Sequence, residues 1–122
     1  MTDPLLTPHF RLSEFRCPCC GDVNQPNARR LAKALEPVRL EYGPLQIYSG
    51  FRCMRQNAKV GGALFSQHLV GLAADIACHG DHDRYLLLRL LLKHGFNRLG
   101  IAAHYIHADL GQTQTEVCWT YY

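Results

Sequence analysis

The sequence is short of the features that would place it in a membrane or on a nucleic acid. Its densest apolar run, Tyr85–Leu92, is broken by Arg89 and falls far below the ~20 residues that a bilayer span needs. No basic run with interleaved aromatics occurs, and a net charge of +3 is too small to argue for nucleic acid. That mild excess suits an anionic polymer instead. No internal repeat is present. The opening residues, MTDPLLTPHF, have neither a positive leader nor a long apolar core, so no signal peptide is expected and synthesis as a soluble cytoplasmic protein is. Six cysteines without such a leader argue for reduced thiols rather than a disulfide framework. The single tryptophan, Trp119, is expected in the core or a cleft wall rather than as a platform for a sugar.

What is present fits one soluble globular domain over residues 1–122, with 48% hydrophobic and 19% charged residues. Phe10–Phe15 reads as a short amphipathic turn. Cys17-Pro18-Cys19-Cys20-Gly21 contains a C-x-x-C formed by Cys17 and Cys20, but the remaining cysteines, Cys53, Cys78 and Cys118, are scattered singly. A zinc knuckle needs a second pair, so buried or loop thiols are expected there and a structural zinc at Cys17/Cys20 is not. Asn24 to Tyr42 repeats apolar residues at helical spacing, with Asn24 as cap, Pro26 in the first turn and Gly43-Pro44 as the stop. Pro37 is expected to bend or divide that helix.

Further on, Leu45–Tyr48 alternates like a strand and leads into Ser49-Gly50-Phe51-Arg52. Met54–Val60 reads as a short helix ended by Gly61-Gly62. Asp81 is expected to cap a helix through Tyr85–His94 whose leucines occupy nearly every face, which predicts deep packing. Asn97–Ala103 and the terminal VCWTYY are further strand candidates. His79, His82 and His94 read as loop, cap and helix-end residues.

The chemistry gathers in two stretches, Ser49–Cys78 and Tyr105–Gly111. His68 and Asp75 are separated by a glycine turn, so they cannot share a helical face but meet if His68 ends a loop and Asp75 lies on the following strand. Along that strand Ala73, Asp75 and Ala77 share one side, and the two alanines leave room beside the carboxylate. In the second stretch Tyr105, His107 and Asp109 fall on one face, and Ile106, Ala108 and Leu110 on the other. Two imidazoles and a carboxylate leave a fourth tetrahedral position open, as a catalytic zinc requires.

These residues also carry a resemblance. SGFR, the S-x-H-x-x-G-x-A-x-D spacing of Ser66, His68, Gly71, Ala73 and Asp75, and the I-H-x-D of Ile106–Asp109 resemble the zinc D-Ala-D-Ala carboxypeptidases. Their fold is shared with VanX-type dipeptidases, several phage endolysins and the hedgehog signalling domain. The likeness covers roughly Phe10 to Trp119. It implies an α+β fold, a small mostly antiparallel sheet with helices packed on it. It also implies one catalytic Zn2+ held by His68, Asp75 and His107, and a peptidoglycan peptide as substrate, reached at the cell wall after holin-like release. Arg52 is then expected to bind substrate and to steady the charge that builds on the attacked carbonyl. Ser66 and Gln67 become candidates for substrate binding, with a turn hydrogen bond the other role for Ser66.

The general base is where the sequence departs from the pattern. VanX-type enzymes carry a glutamate three residues before the last ligand, and His104 stands there instead. Asp109 is the other candidate; its alternative role is to orient a zinc-bound histidine. Two function classes follow: a zinc peptidase, or a non-catalytic zinc-stabilised binding or virion-structural module on the same fold.

Overall fold

The computed structural model describes residues 2–112 and 115–121. A two-stranded ribbon, β1 (Leu5–Thr7) and β2 (Phe10–Arg11), runs into a 3-10 turn over Leu12–Phe15. Helix α1 (Gln25–Tyr42) follows, started by Asn24, whose side chain accepts from the Asn27 N–H at 3.1 Å. Then come β3 (Ile47–Ser49), α2 (Met54–Lys59), a second 3-10 turn at Gln67–Val70, β4 (Ala73–Ala77), α3 (Asp81–Lys93), β5 (Arg98–Ile101), β6 (Tyr105–Asp109) and β7 (Val117–Thr120). The larger sheet has the order β3-β4-β6-β5-β7, antiparallel except where β7 joins β5. This is the α+β, mostly antiparallel architecture that the resemblance implies. None of the helices is long and apolar enough to cross a membrane among the described residues.

One face of the sheet is apolar. Ala74 and Ile76 of β4, Leu99 of β5, and Ile106 and Ala108 of β6 pack beneath Leu31, Leu35 and Val38 of α1 and Leu87, Leu90 and Leu91 of α3. Phe10, Phe15 and Phe96 close the ends of that core. Strand periodicity then sends Asp75, His107 and Asp109 to the other face. The same alternation that builds the core beneath the sheet raises the site above it.

Three local expectations need correction. Helix α1 is not divided at Pro37, the stronger of the two expected effects, but continues as one helix to Tyr42. The proline removes one internal hydrogen bond, but the carbonyl left over is that of Lys33, an exposed position, while Leu35 and Val38 on either side are both fully buried and hold the helix together. Asp81 is the first residue of α3, not its cap; Gly80, with φ of 90°, takes that place and Asp81 pairs with Arg84 at 2.9 Å. Helix α3 is also less deeply packed than its leucines suggest. It buries Leu87, Leu90 and Leu91, whereas Leu92 is 59% exposed. Only one face of the helix meets the sheet and α1, so leucines on the other have nothing to cover them.

Candidate metal centre and its cavity

Register assembles the centre. Strands β4 and β6 pair with Asp75 directly across from His107, and Ala73 and Ala77 across from Asp109 and Tyr105. Side chains at paired positions stand about 4.5–5.5 Å apart at Cβ, so the carboxylate and the imidazole are neighbours by construction. His68 arrives from the second 3-10 turn. Ser66 starts that turn by accepting the His68 N–H at 3.1 Å, and Gly71 ends it with φ of 78°, a left-handed conformation suited to glycine. The spacing of Ser66, His68 and Gly71 is therefore one compact turn that drops an imidazole beside β4.

The tautomers follow from what each ring nitrogen touches. Nδ1 of His68 lies 2.6 Å from the Gly50 carbonyl, which can only accept, so Nδ1 carries the proton and Nε2 is left with its lone pair. On His107, Nε2 lies 2.6 Å from Asp109 Oδ2 and donates to it, which leaves the lone pair on Nδ1. Both lone pairs point at Asp75 Oδ1, each at 3.2 Å. His68, Asp75 and His107 thus offer three ligand atoms within 4.8 Å of one another, all buried. Three acceptors aimed at one point repel unless a cation lies between them. The donor set of two imidazoles and one carboxylate fits Zn2+ with an open position.

The charges around this point are consistent with that demand. Where protons rather than a metal stand between these atoms, both rings donate to Asp75; burial raises its pKa, but those hydrogen bonds from His107 and His68, together with their charge, outweigh it and hold the carboxyl well below the usual range. Burial lowers the His107 pKa, yet Asp109 and Asp75 more than offset it and the net shift is upward. Asp109 is 1% exposed and fully engaged: Arg98 Nε donates to its Oδ1 at 2.7 Å, the Gly111 N–H at 2.8 Å, and His107 supplies the bond to Oδ2. Those donors and the nearby charges overcome burial and keep it ionised. Its place is behind His107, fixing that ring.

Arg52 is held as firmly. Its Nε donates to Ser49 Oγ at 3.1 Å, Nη1 to Asn57 Oδ1 at 3.2 Å, and Nη2 to Asp75 Oδ2 at 3.0 Å. The guanidinium therefore grips the carboxylate oxygen that faces away from the histidines. Gly62 lets this happen, since a Cβ there would fall 2.0 Å from Asn57 Oδ1 and 2.9 Å from Arg52 Nη1. Asn57 is itself buried and donates to the Ala63 carbonyl at 2.9 Å.

A cavity of about 460 Å³ opens above the centre. Arg52, Ser66, Gln67, His68, His107 and Asp109 line it, with Arg98, Tyr105, Trp119 and Tyr121 forming an aromatic and cationic wall. Trp119 reaches the site because Gly100, its partner in register, has no side chain; a Cβ on Gly100 would sit 2.6 Å from the indole nitrogen. The indole lies 5.2 Å from the His107 ring and 5.6 Å from the Arg98 guanidinium.

His104 is not brought to this cluster. It is exposed in the turn before β6, its ring lies 5.4 Å from that of His79, and it is not among the residues lining the cavity. His79 bonds Tyr48 Oη at 3.1 Å, and His94 pairs with Glu41 at the end of α3. Sequence reasoning passed over Arg98 and Asn57. For Arg98 a signal existed: in the hairpin of β5 and β6, counting outward from Leu99↔Ala108 sets a cation beside Asp109. Asn57 had no such signal, because its partners come from a loop.

A family model described as Peptidase M15 matches residues 8–109, which includes all three candidate ligands, Arg52 and Asp109. A search of curated proteins returns no match.

Proposed function

The chain belongs to the peptidase M15 family, and from that premise we propose that it hydrolyses peptide bonds in peptidoglycan stem peptides or their crosslinks, as a D-Ala-D-Ala carboxypeptidase or an endolysin-type endopeptidase. Membership makes it a zinc-dependent peptidase with a peptide substrate. The cell-wall identity of that peptide, and action there after holin-like release from a phage or prophage setting, are the proposed part. The observation that carries the reading is the convergence of His68 Nε2, Asp75 Oδ1 and His107 Nδ1, with both histidines lining an open cavity.

When bound at these atoms, zinc supplies a water acidic enough to react at neutral pH and polarises the scissile carbonyl. The chain's own groups do the rest. Arg52, with its fork fixed by Ser49, Asn57 and Asp75, presents a preorganised positive charge to the cavity, where negative charge develops on the attacked carbonyl. Ser66 and Gln67 line the same wall and are the proposed contacts to the substrate backbone. Tyr105 and Tyr121 also face the cavity. Burial first, and the Asp75 charge after it, raises the pKa of each, outweighing the hydrogen bond of Trp119 to Tyr121, so both hydroxyls stay protonated at neutral pH and are proposed as donors to the substrate. Asp109 acts through His107. Asp109→Asn should lower zinc affinity by about 10–100-fold, with activity restored by added zinc, because the ring loses its carboxylate partner. Competition with a chromogenic chelator reads that shift directly.

One observation favours the second reading, a non-catalytic zinc-stabilised binding or virion-structural module. Both oxygens of Asp109 are engaged and His104 lies outside the cavity, so no uncommitted carboxylate faces the centre among the described residues. Digestion of isolated peptidoglycan sacculi separates the two. A peptidase releases fragments whose masses name the bond cut, and His68→Ala releases none. Stoichiometric zinc with no fragments from several wall types would establish the binding module instead.

A further inference from the structure

The C-x-x-C near the N-terminus lacks a second pair in the sequence, but the fold supplies a third thiol. Cys17, Cys20 and Cys53 bring their sulfurs within 4.8 Å of one another, far from the His68 centre in ligand chemistry but only one residue from Arg52. In a tetrahedral zinc–thiolate site with Zn–S of about 2.3 Å, sulfurs stand about 3.8 Å apart, so a small closure completes such a site. We propose that Cys17, Cys20 and Cys53 bind a thiophilic divalent metal, zinc in the first instance, with Cys19 closing the fourth position.

The backbone is arranged for thiolates. Cys17-Pro18-Cys19-Cys20-Gly21 folds into a tight loop, with Gly21 at φ of 74° and its N–H bonded to the Cys17 carbonyl at 2.8 Å. Arg16 Nη1 reaches the Gly21 carbonyl at 3.0 Å and braces the loop from outside. The N–H of Cys53 donates to Cys17 Sγ at 3.4 Å, and the N–H groups of Cys20 and Cys19 turn to the same sulfur. Cys53 in turn caps α2, its Sγ accepting from the Gln56 N–H at 3.4 Å. These N–H groups aimed at the Cys17 sulfur are the donors that a metal-bound thiolate accepts from. The exposed Cys19 hydrogen-bonds the Cys53 sulfur. Three thiols within 4.8 Å of one another, with Cys19 beside Cys53, exceed what a single disulfide uses and fit a cysteine-ligated structural zinc site.

The site has a structural consequence for the cavity. It fastens the loop after the first 3-10 turn to the segment Gly50–Cys53, where the Phe51 N–H already bonds the Phe15 carbonyl at 2.9 Å. That segment carries Arg52 and the Gly50 carbonyl that sets the His68 tautomer. The metal at the cysteines is thus a clamp on the wall of the peptidase centre, with no part in the bond cleavage.

Metal analysis and cobalt spectroscopy on the full chain test this without any substrate. Wild type reconstituted with zinc under reducing conditions should hold two equivalents. Cys20→Ser with Cys53→Ser should hold one, as should His68→Ala with Asp75→Ala. Loaded with Co2+, wild type and the His68/Asp75 variant should show the intense near-ultraviolet thiolate-to-cobalt band, and the cysteine variant should lack it. Should the variants fail to fold, alkylation of wild type decides: Cys19 and Cys20, both exposed, should resist labelling until a chelator is added, while the equally exposed Cys118 labels at once. A His68/Asp75 variant without the thiolate band, labelling of Cys19 and Cys20 as prompt as that of Cys118 in zinc-loaded protein, or a freshly reduced protein that reoxidises to a Cys17–Cys53 disulfide in the presence of zinc would overturn the proposal.

Discussion

Asp75→Ala is expected to abolish zinc binding at the His68 centre and, with it, all measurable peptide cleavage. The residue is the hub: Oδ1 lies 3.2 Å from both histidine lone pairs, and Oδ2 lies 3.0 Å from Arg52. Its removal takes away the one anionic ligand and strands a guanidinium whose side chain is 12% exposed. Loss of the metal's contribution to the barrier, several kcal/mol, corresponds to a fall of at least about 10³-fold in rate. Breaking a buried ion pair from one side typically costs about 3–5 kcal/mol of stability as well. The variant should therefore melt earlier even before metal is considered. Asp75→Asn separates the two effects. The amide keeps the shape and can still accept from Arg52, so folding should recover while zinc affinity stays low. Isothermal titration with zinc and a thermal melt of both variants give the answer. Full zinc stoichiometry in Asp75→Ala would remove this residue from the metal set and the centre with it.

How much of this was legible before any coordinates depends on the range of the interaction involved. Period-two alternation placed Asp75 on one face of β4 and Tyr105, His107 and Asp109 on one face of β6, because a strand's side-chain direction is local. The Ser66–Gly71 spacing is equally local, a single turn closed by a left-handed glycine. What escaped needed tertiary knowledge. Cys53 reads as an isolated thiol until the chain returns it to Cys17 and Cys20. Asn57 has no meaning until Arg52 folds back over α2. The leucines of α3 look uniformly buried because a sequence shows how apolar a helix is, not how many neighbours it will have. Pro37 does not divide α1 for the related reason that packing of Leu35 and Val38 overrides a local hydrogen-bond deficit. His104 occupies the position at which the family pattern places an acid, yet the turn before β6 carries it toward His79. Position within a motif fixes a residue's neighbours along the chain, whereas its partners in space depend on how the adjoining turn is wound.

Arg52→Lys is the second change with a large expected effect, and it tests what the arginine is for. Arg52 spends Nε, Nη1 and Nη2 on Ser49, Asn57 and Asp75, which locks the plane of the guanidinium against the cavity wall. An ammonium keeps the charge but has neither the fork nor the reach to satisfy partners in different directions. If the fixed positive charge is what steadies the developing oxyanion, turnover should fall by about 10²–10³-fold, the usual cost of losing one such donor. The Michaelis constant should change little and zinc stoichiometry should hold. If the arginine serves only to aim Asp75 at the metal, the loss should appear in zinc affinity instead, and saturating zinc should restore the rate. Asn57→Ala refines the distinction, since it loosens the fork without touching Asp75 or the charge. A fall in turnover that tracks loss of the fork, at constant bound zinc, assigns the guanidinium to the reacting carbonyl. A rate that follows only metal occupancy assigns it to the ligand.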